Sequence, residues 1–322
     1  MNQDSVAVLD LGSTKAVCVA ASIDEKGTVK IDAVASTPCN ALKKGVLMEP
    51  SEASRCIEVV ADRVAKETGR SIDSLVVGFG GAQFECLTGQ GLKHVVPKGR
   101  LVTHQDVLEV VNHSQSLVLP AGKEQVQAVP REFRVDGERE VQKPVGMPAS
   151  KLEVFTCVVA GETAALDAYD KAVKGAGREI EQFVLTPLAS GLGVLTPEEM
   201  DLGALVIDLG GGVTTVAAFK GGSIAYAGSI PAGSNYVTSD ISQLLKTSLE
   251  EAERLKVTYG GAYAGVIPDT ERVDVMQAGQ TVARPMQRKV LCEIIESRMR
   301  EIAKLVLHHA EKSGLYASLP GG

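Results

Sequence analysis

The chain has 322 residues, 44% apolar and 23% charged, so it can bury a sizeable core and is expected to divide into two or more domains. A formal net charge of -7, with no basic cluster longer than Lys43-Lys44, excludes a general nucleic-acid binder, which needs concentrated Lys and Arg to neutralise phosphates. Thirty-three glycines beside 4% aromatics and no Trp suggest tight turns and close backbone approaches, as in an α/β ligand-binding protein.

The opening "MNQDSVAVLD" has neither the basic start nor the apolar stretch of a signal peptide, and no run approaches the ~18 apolar residues of a membrane span. Residues 6 to 36 read as three strands. "SEASRCIEVVADRVAKETG" reads as a helix with Ser51 as N-cap and Gly69 at its end, and "SLVVGFGG" as a further strand. Between about 84 and 160 the pattern becomes that of a compact module, with strands around one helix and Thr103 to Asp106 as a capping box. "GETAALDAYDKAVKGAG" and "FVLTPLASGLGVL" then flank a strand at about 180 to 185. Cys18, Cys39, Cys56, Cys86, Cys157 and Cys292 form no C-x-x-C pair and read as reduced, buried thiols of a cytosolic protein. The five histidines have no metal-ligand spacing.

One pattern occurs twice. "VAVLDLGSTKAVCVAA" at 6 to 21 superimposes on "ALVIDLGGGVTTVAAF" at 204 to 219 when Asp10 is set on Asp208 and Gly12 on Gly210. Each copy reads as a buried strand, a small polar turn and a second strand, a β-hairpin with its tip at the end of the first strand. Tips built from Gly12, Ser13, Thr14 and Lys15, and from Gly210, Gly211, Gly212 and Thr214, leave backbone N–H groups open to phosphate oxygens. Two carboxylates facing one cleft need a cation between them, and hydrated Mg²⁺ bridging nucleotide phosphates fits Asp10 and Asp208. Taken singly, each Asp-Leu-Gly is equally an ordinary turn. "IPAGSNYVTSDISQLLK" feeds another Gly turn into a helix, where Gly233, Ser234 and Asn235 either meet a phosphate or simply cap the helix.

The duplicated halves resemble the phosphate motifs of the actin, sugar-kinase and heat-shock-chaperone ATPases. Further segments, "KKGVLMEPSEA", "GRLVTHQDVLEVV", "VPREFRVDGEREVQKPVGMPASKLEV", "EAERLKVTYGGA" and "RKVLCEIIESRMREI", are similar to FtsA, the actin-like bacterial cell-division family. The resemblance implies an α/β, actin-like (ribonuclease-H-like, duplicated) ATPase fold with an inserted small α+β module. The first lobe would comprise 1–83 and 161–200, the insertion 84–160, and the second lobe 201–322, with about 245–310 as its outer subdomain. It implies ATP with Mg²⁺ as ligands, and as partners the C-terminal tail of FtsZ, other copies of the chain in filaments, and other division proteins through the inserted module. It places the protein in the cytoplasm, at the cytoplasmic face of the membrane at the septum when full length. The membrane anchor and an adenosine-covering strand are expected beyond "SLPGG", where relatives continue.

The resemblance also marks Glu253 and Lys256 as bordering the adenosine; at i, i+3 they read equally as a surface ion pair. In the helix expected over 285 to 313, Leu291, Ile295, Ile302, Leu305 and Val306 form an apolar stripe that contains Arg298. Arg298 either pairs with a buried carboxylate or, with Arg288 on the same side, borders a groove for the acidic FtsZ tail. Three positions depart from the family pattern: Thr186 stands for Glu, Val213 for Thr and Thr215 for Asp, so hydrolysis should be weak or absent. An actin-like scaffold of type IV pilus assembly is the alternative. A small-molecule kinase lacks a positioned base here, and a chaperone would not carry this insertion.

Overall fold

The computed structural model describes residues 4–81, 83–137 and 139–315, with Ala317 and Leu319. The rest of "SLPGG" lies outside them.

In the first lobe β1 (Asp4–Leu11), β2 (Lys15–Ile23) and β3 (Val29–Pro38) form an antiparallel meander. A short ribbon of β4 (Leu42–Lys43) and β5 (Val46–Leu47) leads into α1 (Pro50–Thr68), and β6 (Ser74–Phe79) returns parallel to β1. The helix begins one residue before Ser51. Pro50 occupies its first turn, where a missing N–H costs nothing, and Glu49 precedes it without a side-chain cap, so Ser51 is not the N-cap. Gly69 ends α1 in the left-handed region, φ 68°.

The insertion contains β7 (Phe84–His94), α2 (His104–Gln115), β8 (Lys123–Val135), β9 (Arg139–Val141) and β10 (Lys151–Glu162), with sheet order β7-β10-β8-β9. α2 lies almost on the sheet backbone, because a Cβ at Gly89 or Gly91 would come within 2.0 Å of the Ser114 or Val110 carbonyl oxygen. The opposite sheet face is not free. Cys157 and Val159 pack into one core with Phe219, Ile224 and Ala227 of the second lobe.

The chain then re-enters the first lobe through α3 (Thr163–Gly175) and β11 (Glu179–Leu185), completing the order β11-β6-β1-β2-β3. α1 and α3 cover this sheet through Ile57, Val60, Val64, Tyr169 and Val173. α4 (Thr186–Val194) and α5 (Pro197–Leu202) connect to β12 (Ala204–Leu209), β13 (Thr214–Lys220) and β14 (Ser223–Ile230), an antiparallel meander with the order of β1 to β3. Beyond it α6 (Ser234–Leu245), α7 (Leu249–Tyr259), the ribbon β15 (Arg272–Val275) and β16 (Arg284–Gln287), and α8 (Arg288–Lys312) enclose a separate small core. α8 buries Leu291, Cys292, Ile295, Ile302, Val306 and Ala310, whereas Leu305 is 39% exposed, so the expected stripe is shifted at that residue.

One polar cluster holds the insertion together. Thr103 and Asp106 cap α2 reciprocally, and buried Asp106 also binds Arg100 at 2.6 and 2.8 Å and Lys93 at 2.8 Å. The Arg100 guanidinium, aided by Lys93 and Thr103, holds its carboxyl far below the usual range. A depressed carboxyl stabilises the fold above its unfolded pKa of about 3.8, and that contribution fades as pH falls through the folded value. Asp106→Asn should therefore cost about 2 to 4 kcal/mol at pH 7, because it leaves two cations near a neutral group. Denaturant titrations should show the gap between wild type and variant narrowing below about pH 4.

Candidate nucleotide cleft

The two Asp-Leu-Gly turns have the same construction. Gly12 N–H donates to the Lys15 carbonyl at 2.9 Å, and Gly210 N–H donates to the Val213 carbonyl at 3.0 Å. A Cβ would lie 3.2 Å from the acceptor oxygen at Gly12 and 2.8 Å at Gly210, so the same tight closure favours glycine at both places. The turns bring Asp10 and Asp208 to one cavity of about 400 Å³, lined also by Gly12 to Lys15, Gly78, Gly80, Gly81, Tyr169, Thr186, Gly210 to Val213 and Thr215.

The hairpin tips touch. A Cβ on Gly211 would meet the Thr14 methyl at 2.6 Å, and one on Gly212 would meet the Ser13 hydroxyl at 2.6 Å and the Lys44 nitrogen at 3.4 Å. Beside Lys44, the Gly45 carbonyl oxygen lies 1.9 Å from where a Gly81 Cβ would stand. Gly233 is the N-cap of α6 and no side chain caps the helix. Its first amides turn to the glycine loop: Ser234 and Asn235 N–H donate to the Gly210 and Gly211 carbonyls at 2.9 and 2.8 Å. These residues thus stand beside the second turn, with those two N–H groups already engaged.

Electrostatically the cavity brings two carboxylates together with Lys15. Burial raises the Asp10 carboxyl above its ordinary value and the charge of Asp208 adds to this, against a smaller opposing pull from Lys15. The cleft still admits water to Asp10, so the walls penalise its charge without sealing it off. Ser190, one turn after Thr186 on α4, donates to Asp208 at 3.2 Å. Tyr169 is buried beneath, and its phenol is pushed up by burial and by Asp10. Among the described residues no three metal-ligating side chains cluster, so a cation between the carboxylates would take most of its ligands from water and phosphate, the habit of Mg²⁺. Ser190 and Tyr169 were not found from the sequence. The i, i+4 spacing of Thr186 and Ser190 was the available signal for the first, while Tyr169 reaches the cleft only through folding of α3.

The other candidate residues lie elsewhere. Glu253 and Lys256 pair at 2.7 Å on α7. Lys256 also donates to Thr238 of α6 at 2.9 Å, and neither residue lines the cavity. Arg298 forms a two-pronged pair with Asp240 of α6 at 2.7 and 3.0 Å and reaches Glu301 at 2.5 Å. It also borders a shallow hollow of about 230 Å³ with Leu244 and Ile294. Arg288 is about 15 Å away along the helix axis. It binds Glu271 at 2.7 Å and the Tyr259 carbonyl at 2.8 Å. The two arginines therefore do not share that hollow.

Comparison with known proteins agrees with this architecture. The family model described as "Cell division protein FtsA" matches residues 205–317, and the one described as "SHS2 domain inserted in FTSA" matches 81–160. FtsA of Neisseria meningitidis serogroup B is 30% identical over 312 residues, covering 97% of this chain and 75% of that protein. FtsA of Bacillus subtilis is 31% identical over 323 residues, covering 100% and 73%. Among solved structures, MreB5 of Spiroplasma citri bound to ADP superimposes with TM-score 0.53 at 14% identity, covering 95% of this chain and 78% of that one. The PilM-PilN type IV pilus biogenesis complex gives TM-score 0.57 at 19% identity, covering 80% and 70%. The structural likenesses establish the actin-like fold, and the sequence relatives separate the cell-division group from the pilus scaffold. With an actin-like core, an SHS2 insertion and about 30% identity over nearly its whole length, the chain belongs to the FtsA family of cell division proteins.

Proposed function

We propose that this chain is an ATP-binding, actin-like adaptor of the division ring, which binds the FtsZ C-terminal tail, assembles with copies of itself and works at the cytoplasmic face of the membrane. The observation that carries the nucleotide reading is the pair of identically closed glycine turns with Asp10 and Asp208 in one cavity. In this reading Gly12, Ser13, Thr14, Lys15, Gly210, Gly211 and Gly212 surround the phosphates, with Gly233, Ser234 and Asn235 behind the second turn; Thr214, expected there from the sequence, is instead fully buried outside the cavity, where its hydroxyl donates to the Ala232 carbonyl at 2.7 Å. The two carboxylates hold hydrated Mg²⁺, which screens phosphate charge, and Ser190 keeps Asp208 oriented. Glu253 and Lys256 would border the adenosine only if their mutual ion pair rearranged. The inserted module serves assembly and partner recognition, since it supplies none of the cavity wall. No helix among the described residues is long and apolar enough to cross a membrane; the membrane link in this reading runs through a C-terminal helix outside this sequence.

Calorimetry with Mg-ATP should show Asp10→Asn and Asp208→Asn losing at least about tenfold in affinity, or about 1.4 kcal/mol. Asp136→Asn should bind as wild type. Asp136 only accepts amide hydrogens from Ser150 and Lys151 at a positive-φ turn in the insertion, a task Asn shares. Equal losses at all three positions would remove the active-site assignment.

Hydrolysis should be slow. In-line attack requires a water held by groups that accept its hydrogens, and Thr186, Val213 and Thr215 supply no carboxylate for this. Phosphate release should stay below ~1 s⁻¹, the low end of common enzymes, with Asp208→Ala as the contamination control. Several turnovers per second, lost in that control, would identify a working ATPase.

Binding of an acidic FtsZ-tail peptide, followed by fluorescence anisotropy, should weaken with added salt and fall several-fold in Arg288→Ala/Arg298→Ala. Because Arg298 also ties α8 to Asp240, circular dichroism must show the variant folded. Normal binding by the folded variant would place the tail site elsewhere.

A further inference from the structure

Two of the six thiols stand apart from the others. Cys86 lies on β7 opposite Val159, and Cys157 on β10 lies opposite Thr88, so the two cysteines are diagonal neighbours across the ladder. Their sulfurs approach to 2.8 Å, about 0.8 Å more than a disulfide bond. Cys157 is 2% exposed while Cys86 is only partly buried, which makes one thiol reachable and keeps its partner behind it. The pair sits in the core shared by the inserted sheet and the second lobe, against Ala227 and Ile224.

We propose that Cys86 and Cys157 form a reversible dithiol-disulfide site that reacts with hydroperoxides at the seam between the insertion and the second lobe. Cys86 is the attacking group. A hydrogen bond from Cys157 pulls its pKa down, and although burial opposes this, the Ala227 backbone N–H and the nearby positive charge of Arg131 add to the lowering. Cys157 is pushed up by its hydrogen bond to Cys86 and by burial, against a smaller opposing pull from Arg131. Cys18, Cys56 and Cys292 are poorer nucleophiles at neutral pH: burial raises Cys18 to about 11 and Cys56 to about 12, and it also raises Cys292.

The chemistry balances with the peroxide as sole oxidant. The Cys86 thiolate attacks one peroxide oxygen, an S–O bond forms as the O–O bond breaks, and the departing oxygen leaves as water or alcohol after protonation. Cys157 gives up its proton and attacks the resulting sulfenic sulfur, forming the S–S bond. Hydroxide leaves and takes that proton as water. Two thiols lose two electrons and the peroxide gains them. The two sulfurs need to close by about 0.8 Å to reach bonding distance, and the resulting disulfide is reversible by thiol exchange. Because the pair packs against Ala227 and Ile224, disulfide formation alters packing that crosses from the insertion to the second lobe.

The test is peroxide titration of the purified full chain, followed by alkylation, digestion and mass spectrometry. A Cys86–Cys157 cross-link should form and vanish with dithiothreitol, and Cys86 should be lost roughly tenfold or more faster than Cys18 or Cys292. In Cys157→Ser, oxidation should stop at a sulfenic acid on Cys86 that dimedone traps. In Cys86→Ser, Cys157 should give no dimedone adduct. Wild-type protein alone is decisive if a variant fails to fold. Cross-linking between Cys39 and Cys56 instead, links only between chains, or peroxide consumption that spares Cys86 would each overturn the proposal.

Discussion

The cleft depends on keeping two carboxylates of different lobes in one cavity with little countercharge of the chain's own. Asp10 and Asp208 end corresponding strands, and their turns are closed by the same backbone bond, so each lobe delivers its acid to the same place by the same means. Mutual repulsion and burial oppose this arrangement, as the raised Asp10 carboxyl shows. A cation between the two carboxylates would relieve that opposition, so the strain of bringing them together would favour binding one.

The insertion is part of the same mechanical unit. Its sheet covers α2 on one face and contributes Cys157 and Val159 to a core containing Phe219 and Ile224 on the other. Its cohesion rests on Asp106 and its two cations, far from the cavity. A change there can alter the insertion without touching the cavity wall, whereas a change at the shared core reaches both the insertion and the second lobe.

Much of this was legible from residue order because the signals were local. Asp10 with Gly12, and Asp208 with Gly210, declared themselves by repetition; Gly69 and the Thr103–Asp106 box are local solutions to the loose ends of helices. Ser51 misled because Pro50 was compatible with the first turn and moved the start by one residue. Leu305 misled because stripe membership depends on what faces α8 at each turn, which its own periodicity does not contain. The partners of Arg298 and Tyr169 lie in other elements: Asp240 is 58 residues before Arg298, and Tyr169 meets a carboxylate from the opposite end of the first lobe's sequence. Long-range pairing of that kind leaves no trace in spacing.

One small region brings all three pieces of the molecule together. Gly212 of the second lobe stands over the Ser13 side chain, with the Lys44 nitrogen beyond it, and the neighbouring Gly45 oxygen presses on the backbone of Gly81 at the root of the insertion. Side chains can absorb a displacement by changing rotamer, but backbone pressed on backbone has no such slack. A displacement of the Lys44–Gly45 turn is therefore passed to Gly81 as a push and not dissipated as a rearrangement. Any side chain introduced at Gly81 would act as a wedge there, altering the bearing of the insertion on the first lobe.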